Sequence, residues 1–249
     1  MVELSRLHEY CNQLLNSEQV EDYCPNGLQV ESGEQVSRLV TGVTACQALI
    51  DAAVAWRADA LLVHHGYFWK GESPCIRGMK GRRIRSLIRH GISLLAYHLP
   101  LDAHPELGNN RQMARRLGLE AAEAADPAGL IWQGRLPEPN SAQGLGRLIA
   151  ERLGRDPLHL PGGPEPVLRL VWCSGAAEGF IERAASLGAD AYISGEVSEQ
   201  TPHQARELGI HYFAAGHHAT ERYGVQALGE RLAAEFALEH RFIEIENPV

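Results

Sequence analysis

The sequence carries one short motif twice, and this duplication limits the folds that the chain can adopt. Ala58-Asp59-Ala60 recurs as Ala189-Asp190-Ala191, 131 positions later. Each copy has the pattern of a strand, a turn, a helix and a second strand, which predicts a duplicated βαβ unit. We therefore expect an α/β protein with two pseudo-repeated, interlinked halves, residues 1–126 and 127–249, and a helix from about residue 217 that packs back on the first half.

A later part of the repeat ends each time in a histidine that is followed, four residues on, by an acid. The alignment there needs an offset of 118, which superimposes two short apolar strands, residues 92–97 and 210–215. The residues that follow these strands are His98 with Asp102 in the first half and His217 with Glu221 in the second. The two offsets differ by 13, about the length of a loop near residues 67–79 that only the first half carries. Matching half-sites at the strand ends predict one shared site between the halves.

The composition argues against several classes of protein. A net charge of -8 does not favour nucleic acid as a partner. Five dispersed cysteines lack the paired spacing of a disulfide framework or a thiolate zinc site. No apolar run approaches the roughly 18 residues of a membrane span, and the N-terminus does not resemble a signal peptide. We expect a globular, cytoplasmic protein with no membrane partner.

Three pairs of potential metal ligands are expected at strand ends, which is where α/β sheets bind ligands. They are His64 with His65, His98 with Asp102, and His217 with Glu221. An imidazole and a carboxylate four residues apart on one helical turn can share a cation, although such a pair alone is more often a surface ion pair. Together the pairs hold more donors than one tetrahedral ion needs. We therefore expect two divalent ions with a carboxylate between them.

Glu221 is the expected bridging ligand, because it lies on a rigid helix. His65 and Asp102 are assigned to one ion and His64 and His217 to the other, with His98 and His218 lining the site. Imidazole and carboxylate ligation without thiolate suits Zn, Mn, Fe, Co or Ni, and the sequence does not choose among them.

Such a pair of ions favours hydrolysis of phosphate esters, amides or ring amidines, because it lowers the pKa of a bridging water and stabilises an oxyanion. Glu196 or Glu199 is the candidate general base beside it. The alternative is that these two acids cap the helix that begins at Thr201.

The loop and helix after the paired histidines form the one basic segment of this acidic chain. Its cations are Lys70, Arg77, Lys80, Arg82, Arg83, Arg85 and Arg89. One interpretation is a solvated face of a helix whose apolar face is Ile84, Leu87 and Ile88. The other is a clamp for an anionic, phosphorylated substrate, for which Lys70, Arg77, Lys80 and Arg82 are the candidates.

The first half contains three further predictions about local structure. The spacing of apolar residues predicts an opening helix from Leu4 to Leu15. Thr44 and Gln47 have the spacing of a capping box, which predicts that a helix starts at residue 45. The strand before the paired histidines should end at His64, because only then can both rings reach one cluster.

Proline and glycine predict the connections. Pro100 and Pro105 predict a loop over residues 99–109, after which Asn110 caps a helix that Gly118 ends. Further predictions are a connection between halves at residues 120–127, a turn at 137–140, a helix through Leu145 and Leu153, a helix from Thr201 to Leu208, and a closing strand over 241–245.

Taken together, several motifs resemble the GTP cyclohydrolase I type 2 family, also called the Nif-three-like family. The motifs are Pro25-Asn26-Gly27-Leu28-Gln29-Val30, Val63-His64-His65-Gly66, His98-Leu99-Pro100-Leu101-Asp102-Ala103-His104, Gly108-Asn109-Asn110, Ser194-Gly195-Glu196 and Gly216-His217-His218-Ala219-Thr220-Glu221. The resemblance spans nearly the whole chain and is closest to the short bacterial members of YbgI type.

The resemblance implies a fold, an assembly and a ligand set. It implies two similar, interlinked α/β halves with a dinuclear metal site between them, and a ring-shaped homohexamer with the sites facing an internal cavity. The family ligands correspond to His64, His65, Asp102, His217 and Glu221. The family name reflects a GTP ring-opening activity that is attributed to some members.

Three functions follow from these observations. The first is a metal-dependent hydrolase that acts on a nucleotide or another phosphorylated small molecule. The second is a non-catalytic protein that delivers or stores metal, or a scaffold. The third, a DNA-handling ring, depends only on the basic segment, and salt-dependent binding to DNA would be its signature.

Overall fold

The computed structural model describes residues 1–249 and shows a mixed α/β protein, as the sequence predicts. The strands are β1 (Val2–Glu3), β2 (Gly27–Val30), β3 (Gln35–Val36), β4 (Arg38–Thr44), β5 (Ala60–His65), β6 (Ser93–Ala96), β7 (Glu120–Ala124), β8 (Trp132–Asn140), β9 (Leu158–Leu160), β10 (Val167–Trp172), β11 (Ala191–Ser194), β12 (His211–Ala214) and β13 (Glu239–Phe242). The α-helices are α1 (Leu4–Leu15), α2 (Gln47–Ala55), α3 (Gly78–Arg89), α4 (Leu99–Ala103), α5 (Asn109–Leu117), α6 (Ala142–Leu153), α7 (Ile181–Ser186), α8 (Thr201–Leu208) and α9 (His217–Phe236). No helix is long and apolar enough to cross a membrane.

The chain forms two compact units. Unit 1 consists of Met1–Leu101 with Gly224–Glu246, and unit 2 consists of Asp102–Tyr223 with Asn247–Val249. The limits of these units are not those of the two predicted halves. The units meet inside α4 and inside α9, whereas the halves were expected to meet in a connecting loop.

Unit 1 is built on a five-stranded sheet in the order β13-β4-β5-β6-β2. The first four of these strands are parallel, and β2 is antiparallel to β6. Side chains of β4, β5 and β6 pack against α2 and α3 in one core cluster, and residues such as Leu49, Leu61 and Leu87 are fully buried there. Burial of each large aliphatic side chain stabilises the fold by roughly 1.5–3 kcal/mol.

Unit 2 is built on a six-stranded sheet in the order β7-β8-β10-β11-β12-β9, in which β10, β11 and β12 are parallel. Successive side chains of a strand face opposite sides of a sheet, so each strand supplies two cores. Leu170 and Trp172 of β10 pack with α5 and α6, whereas Val171 packs with Ile181 and Ala184 of α7.

The duplication inferred from the sequence recurs in the hydrogen bonding of the two units. An aspartate just before the second parallel strand accepts two backbone N–H groups at the start of the first. Asp59 accepts from Ser37 and Arg38 at 2.8 Å each, and Asp190 accepts from Leu168 at 3.0 Å and Arg169 at 2.7 Å. Leu168, Arg169 and Asp190 each lie 131 positions after Ser37, Arg38 and Asp59, respectively. The paired halves therefore share a βαβ module down to individual side-chain contacts.

Several local predictions are confirmed. Helix α1 spans Leu4–Leu15, α8 spans Thr201–Leu208, and α6 follows the predicted pattern through Leu145 and Leu153. Gly118 ends α5 in the left-handed conformation, with φ of 69°.

The predicted caps of α2 and α5 are wrong. Helix α2 begins at Gln47 after Cys46, with no side-chain cap, because the hydroxyl of Thr44 is paired with the ring of His65. Helix α5 follows Gly108, and the amide of Asn110 bonds the backbone of Leu130 and Ser174 instead. Tertiary partners therefore compete successfully for the side chains that local spacing assigns to caps.

Proline-based predictions fail at three places. Leu99–Ala103 is a short helix, because Pro100 stands in its first turn, where a backbone N–H has no intrahelical partner to lose. Residues 120–124 form β7 rather than a connection, and the predicted turn at 137–140 lies within β8. The closing strand β13 runs over Glu239–Phe242, earlier than expected.

Candidate metal centre

Three histidine rings of unit 1 meet at the carboxyl ends of β5 and β6. His64 and His65 are the last residues of β5, and His98 follows β6. Their ring centroids are 4.6 to 5.8 Å apart, and each ring has a nitrogen within 4.8 Å of the others. This group of donors could hold a metal ion.

The strand before this cluster is longer than predicted. β5 includes His65, so the expectation that it ends at His64 is wrong. The two rings still converge, with their planes at 46°, because the chain turns at Gly66 immediately afterwards. A Cβ atom at Gly66 would overlap Oε1 of Gln29 and lie 2.6 Å from Cβ of Ala96, so only glycine fits this turn.

Each of the three rings is held at Nδ1 by another group of unit 1. The Nδ1 of His64 lies 2.9 Å from the carbonyl oxygen of Tyr97, that of His65 lies 3.1 Å from Oγ1 of Thr44, and that of His98 lies 3.0 Å from Oδ1 of Asp22. Carbonyl and carboxylate oxygens only accept, so His64 and His98 carry their proton on Nδ1. Nε2 is then the ligand atom that each can present to a cation, as in metal sites with oriented imidazoles.

Asp22 is a site residue that sequence reasoning missed. It is almost fully buried and accepts hydrogen bonds from the ring of His98, the amide of Asn26 and the backbone N–H of Leu99. Burial by itself raises the pKa of this carboxyl, but these hydrogen bonds outweigh it and lower the pKa to about 2. Asp22 lies just before the Pro25-Asn26-Gly27 turn, which is the signal that could have identified it.

Unit 2 carries a second group of donors. Nε2 of His217 lies 3.0 Å from Oε2 of Glu221 on the first turn of α9. Asp102 and Glu221 are both buried, and their carboxylate oxygens lie within 4.8 Å of each other. Unit 2 thus brings three of the predicted ligands together.

Hydrogen bonds also orient these side chains. Nδ1 of His217 lies 2.6 Å from Oε1 of Glu196, so Nε2 is directed to Glu221. Oδ1 of Asp102 accepts from the amide of Asn109 at 2.8 Å and the hydroxyl of Ser174 at 3.1 Å. Burial lowers the pKa of His217, but the hydrogen bonds and charges of Glu221 and Glu196 outweigh it and raise the pKa to about 9.

Gly175 leaves space for the carboxylate of Glu221. A Cβ atom at Gly175 would overlap Oε1 of Glu221 and lie 3.3 Å from Nε2 of His217. These buried carboxylate oxygens and the oriented imidazole, with the space that Gly175 leaves beside them, could hold a metal ion.

The other predicted site residues are placed differently. Glu196 orients His217, and the side chain of Glu199 is 93% exposed, 4.0 Å from His203. Helix α8 follows Gln200 with no side-chain cap, so neither acid caps it. His218 is buried, and its backbone N–H donates to the carbonyl of Val249.

The basic candidates fall into two groups. Lys70, Arg77 and Arg82 are exposed. Lys80 is buried, with Nζ 2.6 Å from the carbonyl of Ser73 and 3.2 Å from Oε1 of Glu72, so its charge is satisfied within the loop. The predicted apolar face of α3 is correct for Ile84 and Leu87 but wrong for Ile88, which is 55% exposed.

Comparison with known proteins decides the family. The model of the family Duf34/NIF3 (NGG1p interacting factor 3) matches residues 2–248. The chain belongs to the Duf34/NIF3 family. A relative from Pseudomonas aeruginosa named "GTP cyclohydrolase 1 type 2 homolog" is 55% identical over 99% of both chains. A relative with the same name from Escherichia coli K12 is 54% identical over 98% of both chains.

Two solved structures share the fold of this chain over its whole length. The structure named "Structural genomics, protein ybgI, unknown function" is 53% identical and superimposes with a TM-score of 0.97 over 100% of both chains. The crystal structure of TTHA1606 from Thermus thermophilus is 34% identical, with a TM-score of 0.91 over 100% of both chains. These matches confirm the family resemblance that the sequence motifs indicate.

Proposed function

We propose that this NIF3-family protein holds two divalent cations and hydrolyses a bond in a nucleotide or another phosphorylated metabolite. The proposed ligands are His64, His65, Asp102, His217 and Glu221. The observation that carries the proposal is the anchoring of each imidazole at Nδ1, which directs Nε2 to a cation. A chance cluster of surface histidines has no such consistent orientation.

The protein's own groups account for part of the chemistry. When bound, the cations would supply a water of lowered pKa and a positive charge for an oxyanion. The carboxylate of Glu196 accepts a hydrogen bond from Nδ1 of His217 and thereby fixes the orientation of the ring. Asn109 and Ser174 hold one oxygen of Asp102, so the other carboxylate oxygen is the one proposed for metal.

Two aromatic side chains support a substrate with a flat ring. Tyr23 and Trp69 lie 5.0 and 5.1 Å from the ring of His98 between centroids, and Trp69 lies 5.9 Å from that of His65. Tyr23 is 52% exposed, which leaves an aromatic surface for stacking. The names of the relatives refer to GTP, a nucleotide with such a ring.

Metal analysis tests the proposal directly. The full-length protein is loaded with Zn²⁺ or Mn²⁺, dialysed, and assayed for bound metal and for turnover of a nucleotide and phosphoester panel. Glu221→Gln and His65→Ala should each lose bound metal and all metal-dependent turnover. His203→Ala, which changes an exposed ring beside Glu199, is the control and should keep both. Full metal content in Glu221→Gln, or no turnover of any compound by the wild type, would contradict the proposal.

A non-catalytic metal-delivery or scaffold protein is the second candidate. It is favoured by the placement of the two acids considered as general bases, since Glu196 is used to hold His217 and Glu199 is exposed. Rapid exchange of bound metal with a chelator, without turnover, would distinguish it from the hydrolase. The ring-shaped homohexamer belongs to both candidates, and light scattering of the purified protein tests it.

A further inference from the structure

Strand β9 is a short edge strand of unit 2 that a pair of histidines links to the rest of its sheet. It has three residues and pairs with β12, antiparallel, so that His159 lies opposite Phe213. Nε2 of His159 lies 3.1 Å from Nδ1 of His211. The ring of His159 also stacks on that of Phe213, with centroids 4.5 Å apart and planes at 7°. Because so short a strand has few backbone bonds, these ring contacts are a large part of its attachment.

The segment that contains β9 follows β12 to the edge of the sheet where a proposed metal ligand lies. Strand β12 ends at Ala214, and His217 begins α9 directly after Gly216. Just before β9, the side chain of Arg155 packs on Gly216, where a Cβ atom would lie 2.8 Å from Cδ of Arg155. Release of β9 would therefore uncover the end of β12 that precedes His217.

The second ring nitrogen of His211 determines where the protons of the pair lie. His211 is only 5% exposed, and its Nε2 is fully buried with no hydrogen-bond partner. Since a buried N–H without an acceptor is costly, this Nε2 carries no proton, and the proton of the ring is on Nδ1. Nδ1 of His211 therefore donates to Nε2 of His159, whose own proton is on Nδ1. Both rings are neutral in this arrangement.

Protonation of either ring disturbs this contact. An added proton on His159 places two N–H groups face to face, 3.1 Å apart, and an added proton on His211 falls on the buried Nε2, where it has no acceptor. The charged groups that act on His159 are His211 of β12 and Glu165, which precedes β10. Burial and the charge of His211 lower the pKa of His159, and they outweigh the raising effect of Glu165.

We propose that the pair of His159 and His211 is a pH-sensitive latch, which holds β9 on β12 while both rings are neutral and releases it when the pair is protonated. The latch goes beyond the proposed hydrolase, because it depends neither on a bound cation nor on turnover. A released histidine has an ordinary pKa of about 6.5, whereas that of His159 in the closed strand is lower. The attachment of β9 is therefore complete above pH of about 6.5 and is lost as the pH falls from there towards the lower, folded-state pKa.

Amide hydrogen exchange of the full-length protein, corrected for the intrinsic effect of pH, tests the latch. The amides of β9 should exchange about fivefold or more faster at pH of about 5.5 than at about 7.5, whereas those of the edge strand β7 should not change. His159→Gln keeps an acceptor for Nδ1–H of His211 but does not titrate, so its β9 should exchange equally at both pH values. His203→Gln, which changes an exposed histidine of α8, is the matched control and should keep the pH effect of the wild type.

Nitrogen NMR of the histidine rings in the wild type gives a second measurement if His159→Gln does not fold. At neutral pH, His211 should carry its proton on Nδ1 and none on Nε2, and His159 should titrate below about 6.5. A protonated Nε2 of His211 at neutral pH, no pH effect on β9 in the wild type, or the full effect in folded His159→Gln overturns the proposal. Because no step involves metal, this outcome is separate from that of the metal assay on Glu221→Gln.

Discussion

The two βαβ modules are alike where their parallel strands begin and different where those strands end. At the beginning, Asp59 and Asp190 make the same pair of backbone hydrogen bonds. At the end, β5 finishes in two histidines, whereas β11 is followed by Gly195 and Glu196. The duplicated scaffold therefore retains the bonds that stabilise it, while each copy supplies different donors at the edge where ligands bind.

The groups that hold the imidazole rings at Nδ1 also differ between His64 and His65 on the one hand and His217 on the other. In unit 1 the anchors of His64 and His65 are a neutral carbonyl and a hydroxyl, whereas in unit 2 the anchor of His217 is the carboxylate of Glu196. A carboxylate anchor raises the basicity of the ring more than a neutral acceptor does. We therefore expect His217, like His98 beside Asp22, to be a stronger base than His64 or His65.

The largest effect is expected from Gly175→Ala. Its methyl group would overlap Oε1 of Glu221, and the residue has φ of +67°, so both the carboxylate and the backbone must shift. We expect nearly complete loss of bound Zn²⁺ in elemental analysis after dialysis. Gly179→Ala, whose Cβ position has no atom within 4 Å, is the control and should bind as the wild type does. Equal metal content in both variants would contradict this account of unit 2.

The anchors predict a graded loss of metal affinity. Glu196→Gln removes the negative charge that holds His217 at Nδ1. It should weaken Zn²⁺ binding by about tenfold or more, as substitutions of residues that hydrogen-bond to metal ligands generally do. Thr44→Val removes the neutral anchor of His65 and should weaken it less. Competition with a chelator of known affinity measures both, and a larger effect of Thr44→Val would reverse the proposed order.

The scaffold aspartates predict a matched loss of stability. Asp59→Asn and Asp190→Asn should each lower the free energy of unfolding by about 2 kcal/mol, because two charge-assisted hydrogen bonds become weaker neutral ones at the amide oxygen. Asp190 also pairs with Arg169, but that side chain is 65% exposed and adds little. Denaturant unfolding checks this, with the exposed Asp51→Asn expected within about 0.5 kcal/mol of wild type. A loss of stability in only one of the two variants would show that the two aspartates do not have equivalent roles.

The stabilisation by Asp190 should depend on pH in a defined direction. Burial raises the pKa of this carboxyl, but the hydrogen bonds from Arg169 and Leu168 outweigh it, so the folded-state pKa lies below the ordinary 3.8. The stabilisation is complete above that ordinary value and is lost as the pH falls through the folded-state pKa. The stability difference between wild type and Asp190→Asn should therefore be constant from pH 7 to about 5 and shrink below about pH 4. A difference that grows on acidification would show the opposite sign.

The smallest effect is expected from Glu199→Gln. The side chain of Glu199 is 93% exposed and touches only His203 at 4.0 Å, so we expect unchanged metal content and turnover. A loss of turnover in this variant, measured beside Glu196→Gln, would restore Glu199 as a general base.

The α/β class, the repeat and the metal-ligand candidates could be predicted from the sequence alone, because hydrophobic periodicity and identical spacing are local signals. The same signals located α1, α6 and α8, whose apolar stripes are strong. The errors came from residues such as Thr44, Asn110 and Pro100, for which local rules assign a cap or a loop. Partners distant in the sequence hold Thr44 and Asn110, and the helix around Pro100 tolerates a proline in its first turn.

The orientation of the donors was decided by tertiary structure. The sequence contains Asp22 and Ser174, but no local pattern shows that Asp22 orients His98 or that Ser174 holds Asp102. Orientation depends on hydrogen bonds between residues as many as 76 positions apart. Periodicity reports which residues are buried and on which element, whereas the direction of a ring nitrogen is fixed by the partner that folding brings to it.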